Sequence, residues 1–91
     1  MKIVWTRHAE ERQKEWQKKL GITRDEVERV VREPAQIVPG DLGALVAQAK
    51  RGNGLLRVPF VAIEEERRIL TIYWTSKIDK YWREDPDANS I

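Results

Sequence analysis

The chain has 91 residues, of which 41% are hydrophobic and 35% charged, with a formal net charge of +2. This length suits one domain with one core, and the low net charge means that any nucleic-acid site must be argued from where the cations lie. The absence of cysteine excludes disulfides and thiolate metal sites, and the single histidine, His8, argues against a zinc site. No apolar run approaches the roughly 20 residues of a membrane helix, and charge begins too early for a signal peptide. We therefore expect a cytoplasmic protein without cofactor, metal or membrane contact.

The first third of the chain predicts a strand and two helices. Residues 2–6 alternate like a short strand, and Thr6 can cap a helix over residues 7–20, which contain neither proline nor glycine. The thin apolar stripe of this helix consists of Ala9, Trp16 and Leu20. Gly21 is suited to ending it. A second helix follows, with the capping box Thr23-Arg24-Asp25-Glu26 at its start, the buried face Val27, Val30 and Val31, and Pro34 after its end.

The remaining chain reads mainly as strands. They are expected over residues 35–38, 45–50, 55–63 and 68–75, followed by a helical turn or two within residues 76–83. Residues 45–50 also fit a short helix, but the turn Gly52-Asn53-Gly54 that follows favours a strand. Pro59 lacks a backbone donor, which predicts an edge position or a bulge.

This order predicts an α+β fold in which two N-terminal helices pack on a mainly antiparallel sheet of four to five strands. Residues 1–83 would form the single domain. Residues 84–91 are rich in turn-forming and polar types, which predicts a flexible C-terminal tail.

Two groups of residues suggest chemistry. Arg7, His8 and Arg12 lie close together on the first helix, where an imidazole can exchange protons and a guanidinium can hold a phosphate. The alternative is that His8 only packs or solvates the start of the helix. The second group interleaves rings with cations, as single-stranded RNA requires, and consists of Tyr73, Trp74, Lys77, Lys80 and Tyr81. Here the alternative is a helix that anchors its aromatic face and turns its cations to solvent.

Arg57 is a third candidate because it lies within a strand, between Leu56 and Val58. It would project from the face opposite these two residues, onto a concave sheet surface or simply into solvent.

Several blocks of the sequence resemble a family of small bacterial domains related to the RelE-like and BrnT-like toxins of toxin–antitoxin systems. The blocks are Thr6-x-His8-Ala9-x-x-Arg12, Gly21-Ile22-Thr23-x-x-Glu26-Val27, Pro34, Leu55-Leu56-Arg57-Val58 and Ile69-Leu70-Thr71-Ile72-Tyr73. The resemblance covers roughly residues 3–75 and lies in the order and spacing of the blocks. It implies a RelE-like fold.

The resemblance also implies a function. RelE-like toxins are metal-independent ribonucleases that generally cut messenger RNA, often within the ribosome, and a neighbouring antitoxin neutralises them. His8 and Arg12 match the helix motif, Arg57 the strand arginine and Tyr73 the last-strand aromatic. These four are the expected catalytic residues. The expected RNA-binding residues, which follow from position, charge and aromatic character rather than from the resemblance, are Arg7, Trp74, Lys77, Lys80 and Tyr81.

Two other functions remain open from the sequence. One is a non-catalytic module with the same fold that binds a protein or RNA through its aromatic C-terminal segment. The other is a homodimer formed through an exposed strand edge.

Overall fold

A computed structural model describes residues 1–84 of the chain. Its elements are β1 (Lys2–Trp5), α1 (Arg7–Leu20), α2 (Arg24–Arg32), β2 (Gln36–Pro39), β3 (Leu45–Arg51), β4 (Gly54–Ile63), β5 (Glu66–Ile69), β6 (Tyr73–Thr75) and α3 (Ile78–Tyr81). A short 3₁₀ turn, Asp41–Gly43, connects β2 to β3. The ambiguous residues 45–50 are therefore a strand, and residues 76–83 contain one helical turn. Apart from Glu84, the expected flexible tail lies outside the described residues.

The fold is α+β, as expected. The sheet is mixed, and six strands pair within residues 1–84 where four to five were expected, because the last expected strand is divided into β5 and β6. The strand order is β1-β5-β4-β3-β2, and β6 also pairs with β4. β1 runs parallel to β5, whereas the other pairings are antiparallel. No helix within residues 1–84 is long and apolar enough to cross a membrane.

The helix ends follow the capping chemistry read from the sequence. The Thr6 hydroxyl accepts a hydrogen bond from the Ala9 N–H at 3.2 Å, and Thr23 does the same for Glu26 at 3.1 Å. Gly21 ends α1 with φ of 70°, a left-handed conformation in which a Cβ is unfavourable.

The core lies between α1, α2 and one face of the sheet. Its buried residues are Ala9, Ile22, Val27, Val30, Val31, Ala47, Leu56, Val58, Phe60, Ile69 and Ile72. The prediction that Leu20 belongs to the buried apolar face of α1 was wrong, because this residue is 39% exposed. Gln13 is buried on this helix instead, because its amide donates to the Ile22 carbonyl at 2.9 Å and so ties the end of α1 to the connection.

The continuous strand expected over residues 68–75 is interrupted by a bulge. Phe60 pairs with Ile69, and Arg57 pairs with Tyr73. Residues 58–59 of β4 therefore face three residues, 70–72, of the segment that joins β5 to β6. Two side chains donate hydrogen bonds to the backbone carbonyls at the two ends of this bulge. The Thr6 hydroxyl donates to the Ile69 carbonyl at 2.8 Å, and the Trp16 indole donates to the Ile72 carbonyl at 3.0 Å.

The bulge explains why β4 tolerates a proline. The edge position expected for Pro59 was wrong, since β4 lies between β3 and β5, but the alternative of a bulge was correct. The Pro59 carbonyl accepts from the Leu70 N–H at 2.9 Å, and a strand residue directs its nitrogen and its carbonyl to the same side. The missing N–H of Pro59 therefore faces the bulge, where regular pairing has ended.

Candidate anion-binding cleft

Three polar residues lie side by side on the sheet face opposite α1 and α2. Arg57 in β4 is paired with Gln48 in β3 on one side and with Tyr73 in β6 on the other. Its chain neighbours Leu56 and Val58 belong to the core, so strand alternation directs Arg57 to the other face. Directly paired residues share a face, which brings Gln48 and Tyr73 beside the guanidinium.

The guanidinium of Arg57 is held on several sides. Its Nε donates to the Gln48 side-chain oxygen at 2.9 Å, and its Nη1 donates to the Tyr73 hydroxyl. The Tyr81 ring, contributed by α3, lies over the guanidinium with its centroid 3.9 Å from Cζ. The Tyr73 and Tyr81 rings meet edge to face, with centroids 6.4 Å apart. These contacts fix the orientation of a long side chain that is otherwise costly to order.

The charge of Arg57 has no carboxylate partner within residues 1–84. Arg57 is 6% exposed, yet the six ion pairs among these residues involve other arginines. Its acceptors are a neutral amide oxygen, a neutral hydroxyl and ring faces. Buried charges are normally paired, because a low-dielectric surrounding penalises an isolated ion. A buried arginine without a counter-ion is therefore suited to an anionic ligand.

A cleft of about 580 Å³ opens beside this guanidinium. Its apolar lining consists of Pro39, Ala44, Val46, Pro59 and Leu70, and its polar lining includes Arg57, Asp41, Thr71, Tyr73 and Tyr81. The Nη2 nitrogen makes no hydrogen bond to any described residue, and no fully buried side-chain nitrogen or oxygen in this part of the chain lacks a partner. Arg57 lines the cleft, and its Nη2 carries two N–H donors of the kind that bind phosphate or carboxylate oxygens.

Tyr73 keeps its proton at neutral pH. Burial raises the pKa of the Tyr73 phenol above its ordinary 10.0, and the nearby charge of Arg57 opposes that rise without cancelling it. The phenol therefore stays neutral at pH 7. Its oxygen accepts from Arg57, and a hydrogen bond with the Tyr81 side chain also favours the protonated phenol.

The structure unites some of the expected site residues and separates others. Arg57, Tyr73 and Tyr81 form one cluster, whereas His8 and Arg12 are exposed on α1. Arg12 pairs with Glu15 at 2.7 Å. No hydrogen bond, ion pair or ring contact among the described residues joins His8 or Arg12 to the cluster.

The other expected RNA-binding residues lie on the surface or in the core. Arg7 is exposed and lies 3.7 Å from Glu11, and Lys77 and Lys80 are exposed around α3. Lys80 Nζ lies 5.2 Å from the centroid of the Tyr81 ring. Trp74 packs against the core and donates its indole N–H to the Arg51 carbonyl at 3.0 Å, so its ring is not an open stacking platform.

Sequence reasoning missed Gln48 and the two cleft residues Asp41 and Thr71. Gln48 did leave a signal, because it is a polar residue within the otherwise apolar run Val46-Ala47-Gln48-Ala49. No such pattern marks Asp41, whose position depends on the turn before β3. Within residues 1–84 no three His, Asp or Glu side chains converge as metal ligands.

Comparisons with protein-family models, with curated proteins and with solved structures found no match to this chain.

Proposed function

We propose that this chain is a RelE-like domain that binds single-stranded RNA in the cleft beside Arg57 and cleaves it without a metal ion, as the toxin of a toxin–antitoxin pair. The observation that carries the proposal is the buried Arg57 guanidinium, which lacks a carboxylate partner in the described residues and borders an open cleft. A phosphodiester oxygen would provide the missing negative charge.

The order of the elements supports the RelE-like part of the proposal. One strand and two helices precede a run of strands, and the blocks that carry the resemblance occupy definite places in this order. The block around His8 forms the first turn of α1, the block around Arg57 lies in β4, and Tyr73 begins β6. An antitoxin that neutralises the domain would have to cover the cleft or prevent access to it.

The cleft contains groups suited to cleavage by the neighbouring 2′-hydroxyl. Asp41 is the ionisable acceptor among the described lining residues, and we assign it to take the proton of the 2′-hydroxyl. The 2′-oxygen then forms a bond to phosphorus, and the bond from phosphorus to the 5′-oxygen breaks. Arg57 stabilises the charge that develops on the phosphate oxygens, and Tyr73 donates its proton to the departing 5′-oxygen. The products are a 2′,3′-cyclic phosphate and a 5′-hydroxyl end.

A second candidate function is a non-catalytic module that binds RNA or a protein through the same cleft. The observation that favours it is the separation of His8 and Arg12 from Arg57 and Tyr73. If cleavage requires an imidazole, this arrangement does not provide one. A homodimer would instead use β1 or β2, which are the terminal strands in the described sheet.

Inducible expression in a bacterial host tests the proposal, with growth and total RNA integrity followed together. We expect the wild type to arrest growth and fragment RNA, and Tyr73→Phe to abolish both, since it removes the proton donor and keeps the ring. His8→Ala shows whether α1 takes part: unchanged cleavage supports Asp41 as the base, and lost cleavage assigns that role to His8. Normal growth and intact RNA with abundant soluble wild type would favour the binding module.

A further inference from the structure

The end of the described chain is bound to the sheet face that carries the cleft. We call residues 78–83 the C-terminal segment; it comprises α3, Trp82 and Arg83. Gln36 of β2 clasps the Arg83 backbone, since its amide nitrogen donates to the carbonyl and its amide oxygen accepts from the N–H at 3.1 Å. Lys50 of β3 lies over the Trp82 ring, with Nζ 4.8 Å from the centroid.

Gln48 links this segment to Arg57. Its side-chain oxygen accepts from Arg57 Nε, while its side-chain nitrogen donates to the Tyr81 carbonyl at 3.0 Å and to the Gln36 side-chain oxygen at 2.9 Å. The residue is completely buried. Both of its amide donors and its amide oxygen are therefore hydrogen-bonded, and the amide cannot turn without breaking bonds to both the guanidinium and the segment.

We propose that Gln36 and Gln48 are positioning residues that couple docking of the C-terminal segment to anion binding at Arg57. The inference rests on the proposed function only in requiring that the cleft binds an anionic group. With the segment docked, the Tyr81 ring covers one face of the guanidinium and Gln48 fixes its Nε, so the guanidinium is held in one orientation at the wall of the cleft. When the segment leaves, water reaches Arg57 and the side chain gains rotational freedom, which weakens its hold on a ligand.

The coupling acts in both directions. If docking of the segment raises the affinity of Arg57 for an anion, an anion in the cleft must stabilise the docked segment by the same factor. A reporter on the segment should therefore respond to the ligand, although no residue of it except Tyr81 lines the cleft. The Trp82 N–H is such a reporter, because it donates to the Ile78 carbonyl at 2.8 Å inside the segment.

Gln36→Ala is the sharpest test because Gln36 neither touches Arg57 nor lines the cleft. The matched control is Gln17→Ala. Gln17 accepts one hydrogen bond from buried Gln13 on α1, just as Gln36 accepts one from buried Gln48. Inorganic phosphate is titrated into the full-length protein, and the NMR signal of the Arg57 Nε–H reports binding. In the absence of phosphate, the same signal reports docking through the ring current of Tyr81.

We expect phosphate to shift the wild-type signal saturably and to slow hydrogen exchange of the Trp82 N–H. Gln36→Ala should move the Arg57 signal before ligand is added and weaken phosphate binding about fivefold or more. Gln17→Ala should bind like the wild type. Trp82→Ala, which removes the contact with Lys50, should repeat the effect of Gln36→Ala from the other side of the segment.

Two results would overturn the coupling, and they are distinguishable. If wild type binds phosphate but Gln36→Ala and Trp82→Ala bind it equally well, the coupling is wrong and the anion site stands. If wild type shows no saturable shift, the anion site fails, and with it both the coupling and the proposed function.

Discussion

The Tyr73 hydroxyl accepts a hydrogen bond from Arg57 Nη1, and a bulge in the sheet makes this contact possible. If the pairing of Phe60 with Ile69 continued without interruption, Ile72 would lie opposite Arg57. Tyr73 would then project into the core, because a shift of one residue exchanges the faces of a strand. The extra residue directs Ile72 into the core and Tyr73 to the cleft, so the bulge assembles the site.

Trp16→Phe should weaken the bulge between β5 and β6, because it removes the indole N–H that donates a hydrogen bond to the Ile72 carbonyl. We expect the free energy of unfolding to fall by about 1–2 kcal/mol, as for a partly buried acceptor left without its donor. Phosphate affinity should fall as well, because Tyr73 is the residue after Ile72 and its hydroxyl holds Arg57. Urea unfolding and phosphate titration measure the two effects. Trp5→Phe is the control, since the Trp5 indole bonds Glu28 on α2. Equal phosphate affinities in all three proteins would show that the bulge does not support the site.

Arg57→Met should remove phosphate binding. The substitution keeps an unbranched side chain but deletes the charge and the donors, and each charged hydrogen bond contributes about 1.5–3 kcal/mol. The loss of affinity should therefore be at least about tenfold, as measured by titration with inorganic phosphate. Arg68→Met is the matched control, since Arg68 is a strand arginine of β5 that pairs with Glu66 at the surface. Binding by Arg57→Met at wild-type affinity would contradict the assignment of the site.

Tyr73→Phe should make the protein less sensitive to alkaline pH. The folded state raises the pKa of Tyr73, so the unfolded chain releases this proton first, at its ordinary pKa of 10.0. The stability contributed by the protonated phenol is complete below that pH and is lost as the pH rises towards the folded-state value. Urea unfolding from pH 8 to 11 should show a smaller decline for Tyr73→Phe than for wild type. A steeper decline in the variant would mean that folding favours the phenolate.

Gly54→Ala should destabilise the fold strongly. A Cβ at this position would collide with the Thr75 carbonyl oxygen and would come 2.5 Å from the Trp74 ring, so the backbone must move. We expect a cost of about 3 kcal/mol or more, at the upper end for overpacking. Gly21→Ala is the comparison, because a Cβ there meets nothing within 4 Å and the cost of about 1–2 kcal/mol comes only from the positive φ. Urea denaturation of both variants should rank them in this order, and the reverse order would contradict the close approach of β4 and β6.

Local chemistry explains why much of the fold could be predicted from the sequence. Thr6, Gly21 and Thr23 mark helix ends by hydrogen-bonding rules that act within one turn, and these ends agree with the structure. The strands around Arg57 follow from alternation alone. The bulge could not be located by such rules, because the pattern of residues 68–75 favours a strand throughout and only the pairing with β4 shows the extra residue.

The candidate site was partly predictable for the same reason. Arg57 and Tyr73 could be selected from the sequence because each lies in a predicted strand and in a block that resembles the toxin family. Their contact could not be predicted, because it depends on the register in which β4 and β6 pair. Gln36 and Gln48 acquire their roles only when the C-terminal segment folds back across the sheet. These contacts join residues far apart in the sequence, and the periodicity of a single helix or strand does not predict them.

The most direct measurement is incubation of purified protein with end-labelled single-stranded RNA in the presence of a metal chelator, with Arg57→Met and Arg68→Met beside the wild type. We expect wild type and Arg68→Met to produce fragments ending in 2′,3′-cyclic phosphate, and Arg57→Met to produce none. Cleavage by Arg57→Met at the wild-type rate, or RNA left intact by folded wild type that binds it, would contradict the proposed ribonuclease at Arg57.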